Sequence, residues 1–297
     1  MKSALSGLLR PYGGWSLRSS MRFNPLTAIG ASVLTLIVLL AFIGPLLLQN
    51  DPLTVNMSER LLQPSWQYPL GTDHLGRCMF SRLAAGARTT LGIAALALAA
   101  VTLIGIPIGL LSGYRRGRID AILMRIVDAV GAFPDFIMAI AFTGFLGPSL
   151  TNLMLSIILV NWIGYARVVR GIVLAEREKE YVLAARAAGC SSGTIIWRHL
   201  QPNIISPVIV LAALDIGKMI LIIASLSYVG LGAQPPSPEW GAMLNDGRPY
   251  FQANPSLMIY PGLAIMLVVI SCNLISEGVR DRLDVKGTVF GKGGGAR

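Results

Sequence analysis

The chain has 297 residues, of which 54% are hydrophobic and only 13% charged, with a formal net charge of +10. Soluble domains carry about 25% charged residues, so this chain cannot cover itself with polar surface and the bilayer is its expected solvent. The basic residues lie between apolar runs rather than on one continuous patch, which excludes nucleic acid as the partner of the positive charge.

Residues 1–25 form a basic tail with Lys2, Arg10, Arg18 and Arg22 and no acid. Leu26–Leu48 then runs without a charge. At 1.5 Å per residue it is roughly 34 Å long, enough to cross the hydrocarbon core with some tilt. It is too long for a cleavable signal and lacks a small-residue cleavage site. Pro45 falls near its far end.

Residues 49–87 are polar and rich in turn formers. Within them Asp73 is placed to cap a following helix whose apolar side is Leu75, Met79, Phe80 and Leu83, with Arg77 and Arg82 on the other side. Thr89–Ser112 is the second span, interrupted by Pro107, and a short loop with Arg115, Arg116 and Arg118 follows. The third span is expected from about Ala121 to Phe145. It carries Arg125 and Asp128 at i, i+3, a pair placed to snorkel, and Asp135, which must face protein or water. The fourth runs from about Leu150 to Ala166. The fifth, Ile204 to Gly232, holds Asp215 and Lys218, again at i, i+3, and thin positions at Ala212, Ala213, Gly217 and Ala224. Residues 233–256 are polar, and Met258–Ser276 is the sixth span.

Between the fourth and fifth spans lies a polar island, Glu180 to Pro202. Tyr181, Ala184, Ala185 and Ala188 fall on one helical face that is nearly all methyl groups. Gly189 sits where a helix needs a left-handed cap, and Ser191 or Ser192 can start the next helix. Ile195, Ile196, His199 and Leu200 are expected to form a second exposed face, and Pro202 ends that helix or opens the next. A hairpin this short is marginal alone and requires something to pack on.

Nineteen of the 25 basic residues fall in the tails and loops on the side of the N-terminus, against five on the other side. By the positive-inside rule both termini are cytoplasmic and the number of spans is even. The Glu180–Pro202 loop is then cytoplasmic as well.

Three stretches carry a family resemblance. Ala184-Ala185, Gly189 and Pro202 resemble the EAA loop of permease subunits of ABC importers. Leu70-Gly-Thr-Asp-His-Leu-Gly-Arg-Cys-Met-Phe-Ser-Arg82 is similar to a segment of the dipeptide, oligopeptide and nickel branch, and Gly230 to Leu244 to a second signature of that branch. Departures stand at Leu183, where the loop pattern has Glu, at His199 and Gln201, and at Cys78, where the branch has Asp. The resemblance implies an all-α, six-helix membrane protein of the type I importer permease fold in a bacterial inner membrane. It implies a second homologous permease subunit, two ATPase subunits that bind ATP and Mg, and an extracytoplasmic substrate-binding protein. Expected boundaries are a tail at 1–25, the first helix and an external segment at 26–87, a core with five helices at 88–280 whose coupling loop is 176–202, and a tail at 281–297.

On this reading Glu180, Arg186 and Arg198 are candidate polar contacts to the ATPase, or a solvated cytoplasmic face. Asp135, Asp215 and Lys218 are candidate pathway residues, with an intrahelical pair facing a helix seam as the alternative for Asp215 and Lys218. Asp73 and Arg77 are candidates for an external gating or partner-contact segment, or for a surface amphipathic helix lying at the interface, and Glu239 and Trp240 touch a docking protein or plug the outer mouth. No nucleotide-binding loop, zinc signature or nucleophile elbow occurs, so no catalytic residue and no resident cofactor or metal are expected in this chain. The 71–77, 215–219 and 245–250 segments lean towards nickel or a metal chelate as cargo over di- or oligopeptides. A stand-alone ion-coupled transporter is the alternative from another class, but no internal repeat supports it.

Overall fold

The computed structural model describes residues 25–47 and 50–283, in which helices joined by turns and loops form the fold and no β-strand occurs. Five helical stretches are long and apolar enough to cross a membrane, and a sixth is a broken pair. These are α1 (Pro25–Leu47), α2 (Met79–Arg115), α5 (Leu150–Glu176), the run Ser192–Tyr228, and α10 (Ser256–Leu283). The broken pair is α3 (Gly117–Val130) and α4 (Asp135–Leu146), bent by 82°. The third span, expected from about Ala121 to Phe145, is thus broken in its middle rather than one continuous helix. Asp135 follows Pro134, and a residue with Pro behind it is pushed out of helical geometry, so Phe133 cannot carry the helix through.

The run Ser192–Tyr228 consists of α7 (Ser192–Thr194), a π-helical turn at Ile195–Leu200, and α8 (Gln201–Tyr228). The fifth helix therefore starts about a dozen residues earlier than Ile204. Pro202 does not end a separate helix; it sits in the first turn of α8, where its missing N–H costs little.

The centre of the bundle is the contact of α2 with α5, and small residues make it. A methyl group on Gly105 would lie 2.7 Å from the Trp162 carbonyl, and one on Gly109 2.6 Å from the Ala166 carbonyl. Gly113 meets Val173 in the same way one turn on. Ala94, Ala97 and Val101 extend this buried line upward. In a bilayer, close backbone approach replaces the hydrophobic drive that is missing between helices. At the other side α1 lies on α10, where Gly30 meets Leu274 and Gly278 meets Thr27. Ser276 ties α10 to α8 by a hydrogen bond to the Ala213 carbonyl.

Candidate functional site

Three polar regions stand along the axis of the molecule. The first is the Glu180–Pro202 loop, expected on the cytoplasmic side. Here α6 (Glu180–Ala187) ends at Gly189, whose φ of +78° is the left-handed cap expected from its sequence. Ser191 caps α7, accepting from the Thr194 N–H at 3.2 Å. The expected faces are revised. Val182 and Ala185 turn inward, leaving Tyr181, Ala184 and Ala188 outside. Ile195 and Leu200 are buried rather than exposed, because the π turn aims them into the core, while Trp197 and Arg198 project. Glu180 is exposed, whereas Arg186 lies with its guanidinium 5.5 Å from the centre of the Tyr114 ring.

Tyr181 was seen in the sequence only as part of a face. In the structure its hydroxyl donates to Glu176 at 2.6 Å and accepts from Asn203 at 3.0 Å. It thus joins α6 to the end of α5 and the start of α8. Partial burial, with the neighbouring Glu176 carboxylate, pushes the phenol up to about 12, so it stays protonated and donates.

The second region is a cavity of about 300 Å³ lined by Asp135, Asn161, Tyr165, Arg167, Asp215 and Lys218. All three pathway candidates meet here, but not in the expected pairs. Lys218 contacts Asp135 at 3.4 Å instead of Asp215 one turn before it. Asp128 pairs with Arg167 at 3.3 Å instead of Arg125. Spacing of i, i+3 permits a pair; here the neighbouring helix offers a better one. The Tyr165 hydroxyl is buried without a hydrogen-bond partner, with Asp215 as its acidic neighbour. Tyr165 and Arg167 were not singled out by sequence, since on an apolar helix they look like packing and surface charge.

The third region is expected on the outer side. Asp73 does not cap a helix: its Oδ1 accepts the Leu75 and Arg77 N–H groups, and its Oδ2 lies 2.7 Å from Arg77 Nε and 3.3 Å from Arg82 Nε. Both arginines are 2% exposed, so the expected surface amphipathic helix is corrected to a buried ion cluster. The cluster reaches Asp246 at 3.7 Å from Arg77 and 3.5 Å from Arg82. Residues 79–87 are part of α2 rather than of the external segment, and Cys78, the N-cap position of α2, is buried. Gly76 permits the turn: its φ is +75°, and a Cβ there would fall 1.7 Å from the Asn56 carbonyl.

Glu239 and Trp240 are also interior, at 0% and 1% exposure. Glu239 caps α9 (Trp240–Gly247), accepting from Gly241 N at 3.0 Å, Ala242 N at 2.9 Å and the Thr90 hydroxyl at 3.0 Å. The Trp240 indole donates to the Leu83 carbonyl at 2.9 Å and its ring covers Gly86. Neither is presented to a docking protein in this conformation. Among the described residues no three His, Cys, Asp or Glu side chains gather as metal ligands. His74 stacks on Tyr250 with ring centres 5.1 Å apart, and His199 is in the cytoplasmic loop.

Comparison with known proteins identifies the family. The model of the binding-protein-dependent transport system inner membrane component matches residues 105–286, more than half of the chain. A dipeptide transport system permease protein, DppC of Alkalihalophilus pseudofirmus, is 41% identical over 90% of this chain and 88% of its own. The nickel transport system permease protein NikC of Escherichia coli is 41% identical over 85% of this chain and 91% of its own. A probable D,D-dipeptide permease of Escherichia coli, DdpC, is 40% identical over 93% and 92%. Among solved structures, the inward-facing MetNI methionine ABC transporter gives a TM-score of 0.55 at 18% identity, covering 67% of this chain and 94% of that one. That likeness carries the type I permease fold alone. The chain belongs to the binding-protein-dependent transport system inner membrane components, as a multi-pass inner-membrane permease subunit of an ABC importer.

Proposed function

We propose that this subunit forms half of a translocation pathway whose cargo carries both signs of charge: a di- or oligopeptide, or a metal chelate with its own carboxylates and amines. The supporting observation is the mixed sign of the cavity, where Asp135 and Asp215 stand beside Lys218 and Arg167. A bare divalent cation would meet two repelling cations there, while a zwitterion finds a partner for each end. The sequence lean to nickel is kept only in its chelated form. The relatives are named for nickel and for dipeptides alike, so their names favour neither.

In the same reading, α6 and the turn at Gly189 dock one of two ATPase subunits, which bind ATP and Mg. A second permease completes the pathway, and a binding protein delivers cargo on the outer side. Uptake tests the cargo. Cells lacking the gene, with and without a plasmid copy, are given labelled dipeptide, labelled nickel with a polycarboxylate chelator, and labelled nickel alone. Restored uptake of either of the first two supports the reading. Restored uptake of nickel without chelator would sink it.

A further inference from the structure

Helix α3 lies across the end of α5 rather than beside it. Arg170 of α5 binds Asp120 at 2.6 and 2.8 Å, and Arg167 reaches the Val127 carbonyl at 3.2 Å and Asp128 at 3.3 Å. The two arginines are three residues apart, about 4.5 Å along α5, whereas Asp120 and Asp128 are eight apart, about 12 Å along α3. Parallel helices would hold matched separations. Meanwhile α4 turns back onto α5, its last carbonyls held by Asn152, and α3 stands at 82° to α4. Since α5 crosses the bilayer, α3 runs near the membrane plane. Its level follows from sequence: the uncharged part of α5 ends at Ala166, and Arg170, in the next turn, marks where the helix leaves the hydrocarbon.

The outward side of α3 has two parts. Ile119, Ile122 and Ile126 fall within an arc of about 60° and are 37%, 62% and 49% exposed. Arg118 and Arg125, seven residues apart, flank that stripe and are exposed. Both acids of α3 are committed to α5, Asp120 to Arg170 and Asp128 to Arg167. Arg118 and Arg125 have no ion-pair partner among the described residues. An apolar stripe beside uncompensated guanidinium groups, at the depth of the headgroups, is complementary to anionic phospholipid. The stripe enters the acyl layer, and each guanidinium fork matches a phosphate. A protein covering the stripe would still leave the two charges to be neutralised.

We propose that α3 is an interfacial helix that binds anionic phospholipid through Arg118 and Arg125, seated by Ile119, Ile122 and Ile126. The proposal stands on this chain's own geometry and does not depend on the cargo or the ATPase contact.

The test uses the assembled transporter, purified in detergent and titrated with phosphatidylglycerol or phosphatidylcholine while its unfolding midpoint is followed. The expected result is a rise with phosphatidylglycerol only, and a loss of apparent affinity of about five-fold for each arginine replaced in Arg118→Gln and Arg125→Gln. An unchanged midpoint of both variants in phosphatidylcholine shows that they fold. An equal response of wild type and double variant, or no preference for phosphatidylglycerol, overturns the proposal. A spin label on Ile122→Cys separates lipid from protein as the occupant. Broadening by oxygen, which partitions into lipid, supports the proposal. Shielding from both oxygen and water-soluble relaxants means a protein covers the stripe and overturns it.

Discussion

Asp73 is 4% exposed and holds two arginines that are each 2% exposed. Once one cation is removed, a buried carboxylate loses part of its compensation, and such losses cost about 3–5 kcal/mol. Arg77→Ala should therefore lower the unfolding midpoint of the purified permease sharply, and Asp73→Asn with Arg77→Met should recover part of the loss. His74 adds a pH response. Burial holds its imidazole below the usual range, against the pull of Asp73 and Asp246 and with the push of Arg77 and Arg82. The unfolded chain, with its pKa near 6.5, then binds a proton that the folded chain refuses. Stability is highest above that value and declines as pH falls from about 6.5 towards the folded pKa. A plot of unfolding midpoint against pH should show this decline in the wild type, and His74→Phe should flatten it. The motif around Asp73 was legible as a segment. Its burial was not, because Arg82 finds Asp246 across 164 positions, a partner that no local pattern announces.

Five of six membrane helices were readable as long apolar runs, four of them without a charge and the fifth with only Asp215 and Lys218, because hydrocarbon leaves a chain few other options. The remaining one, the third in the chain, was legible as a span but not as a bent one. Its composition is right for a span, but Arg118, Arg125 and Asp128 crowd its first half and Phe133-Pro134 stops it. Charge and a breaker together were the available signal. The cytoplasmic loop shows the same limit: Gly189 was legible as a cap, but the π turn that buries Ile195 and Leu200 shifts the register by a fraction of a turn that spacing rules assume away. At this scale the α2–α5 seam is the element most sensitive to volume. Gly109→Val would press methyl groups against the Ala166 carbonyl and Val169. Overpacking of this kind costs about 1–3 kcal/mol, and the expected readout is a reduced yield of folded, monodisperse permease. Gly92→Val on the same helix, where an added Cβ meets nothing, should be neutral.

For the whole molecule, the distribution of arginines predicts a cytoplasmic α6. Gly189 offers a clean probe of docking, since an added Cβ there touches nothing and only its backbone angle matters. Gly189→Pro cannot keep φ at +78°. Co-purification of the ATPase with this variant should fall at least about tenfold while membrane insertion stays normal. Gly189→Asn, which tolerates the left-handed region, should retain it. Equal recovery of the ATPase with both variants would count against docking at this turn.

The continuous run Ser192–Tyr228 has a mechanical corollary. Its 37 residues make a rod of about 55 Å, with the cytoplasmic loop at one tip and the turn leading to Glu239 beyond the other. Treated as a seesaw pivoting at its midpoint, it has a stroke ratio of one: a tilt of about 5° displaces each tip by roughly 2.4 Å in opposite senses. Lys218 rides about 12 Å from the fulcrum and would travel roughly 1 Å. Asp135 belongs to a separate piece of chain and need not follow. A contact of 3.4 Å can be made or broken by that much travel, so a motion too small to open a passage could already switch the charge that a passing molecule meets.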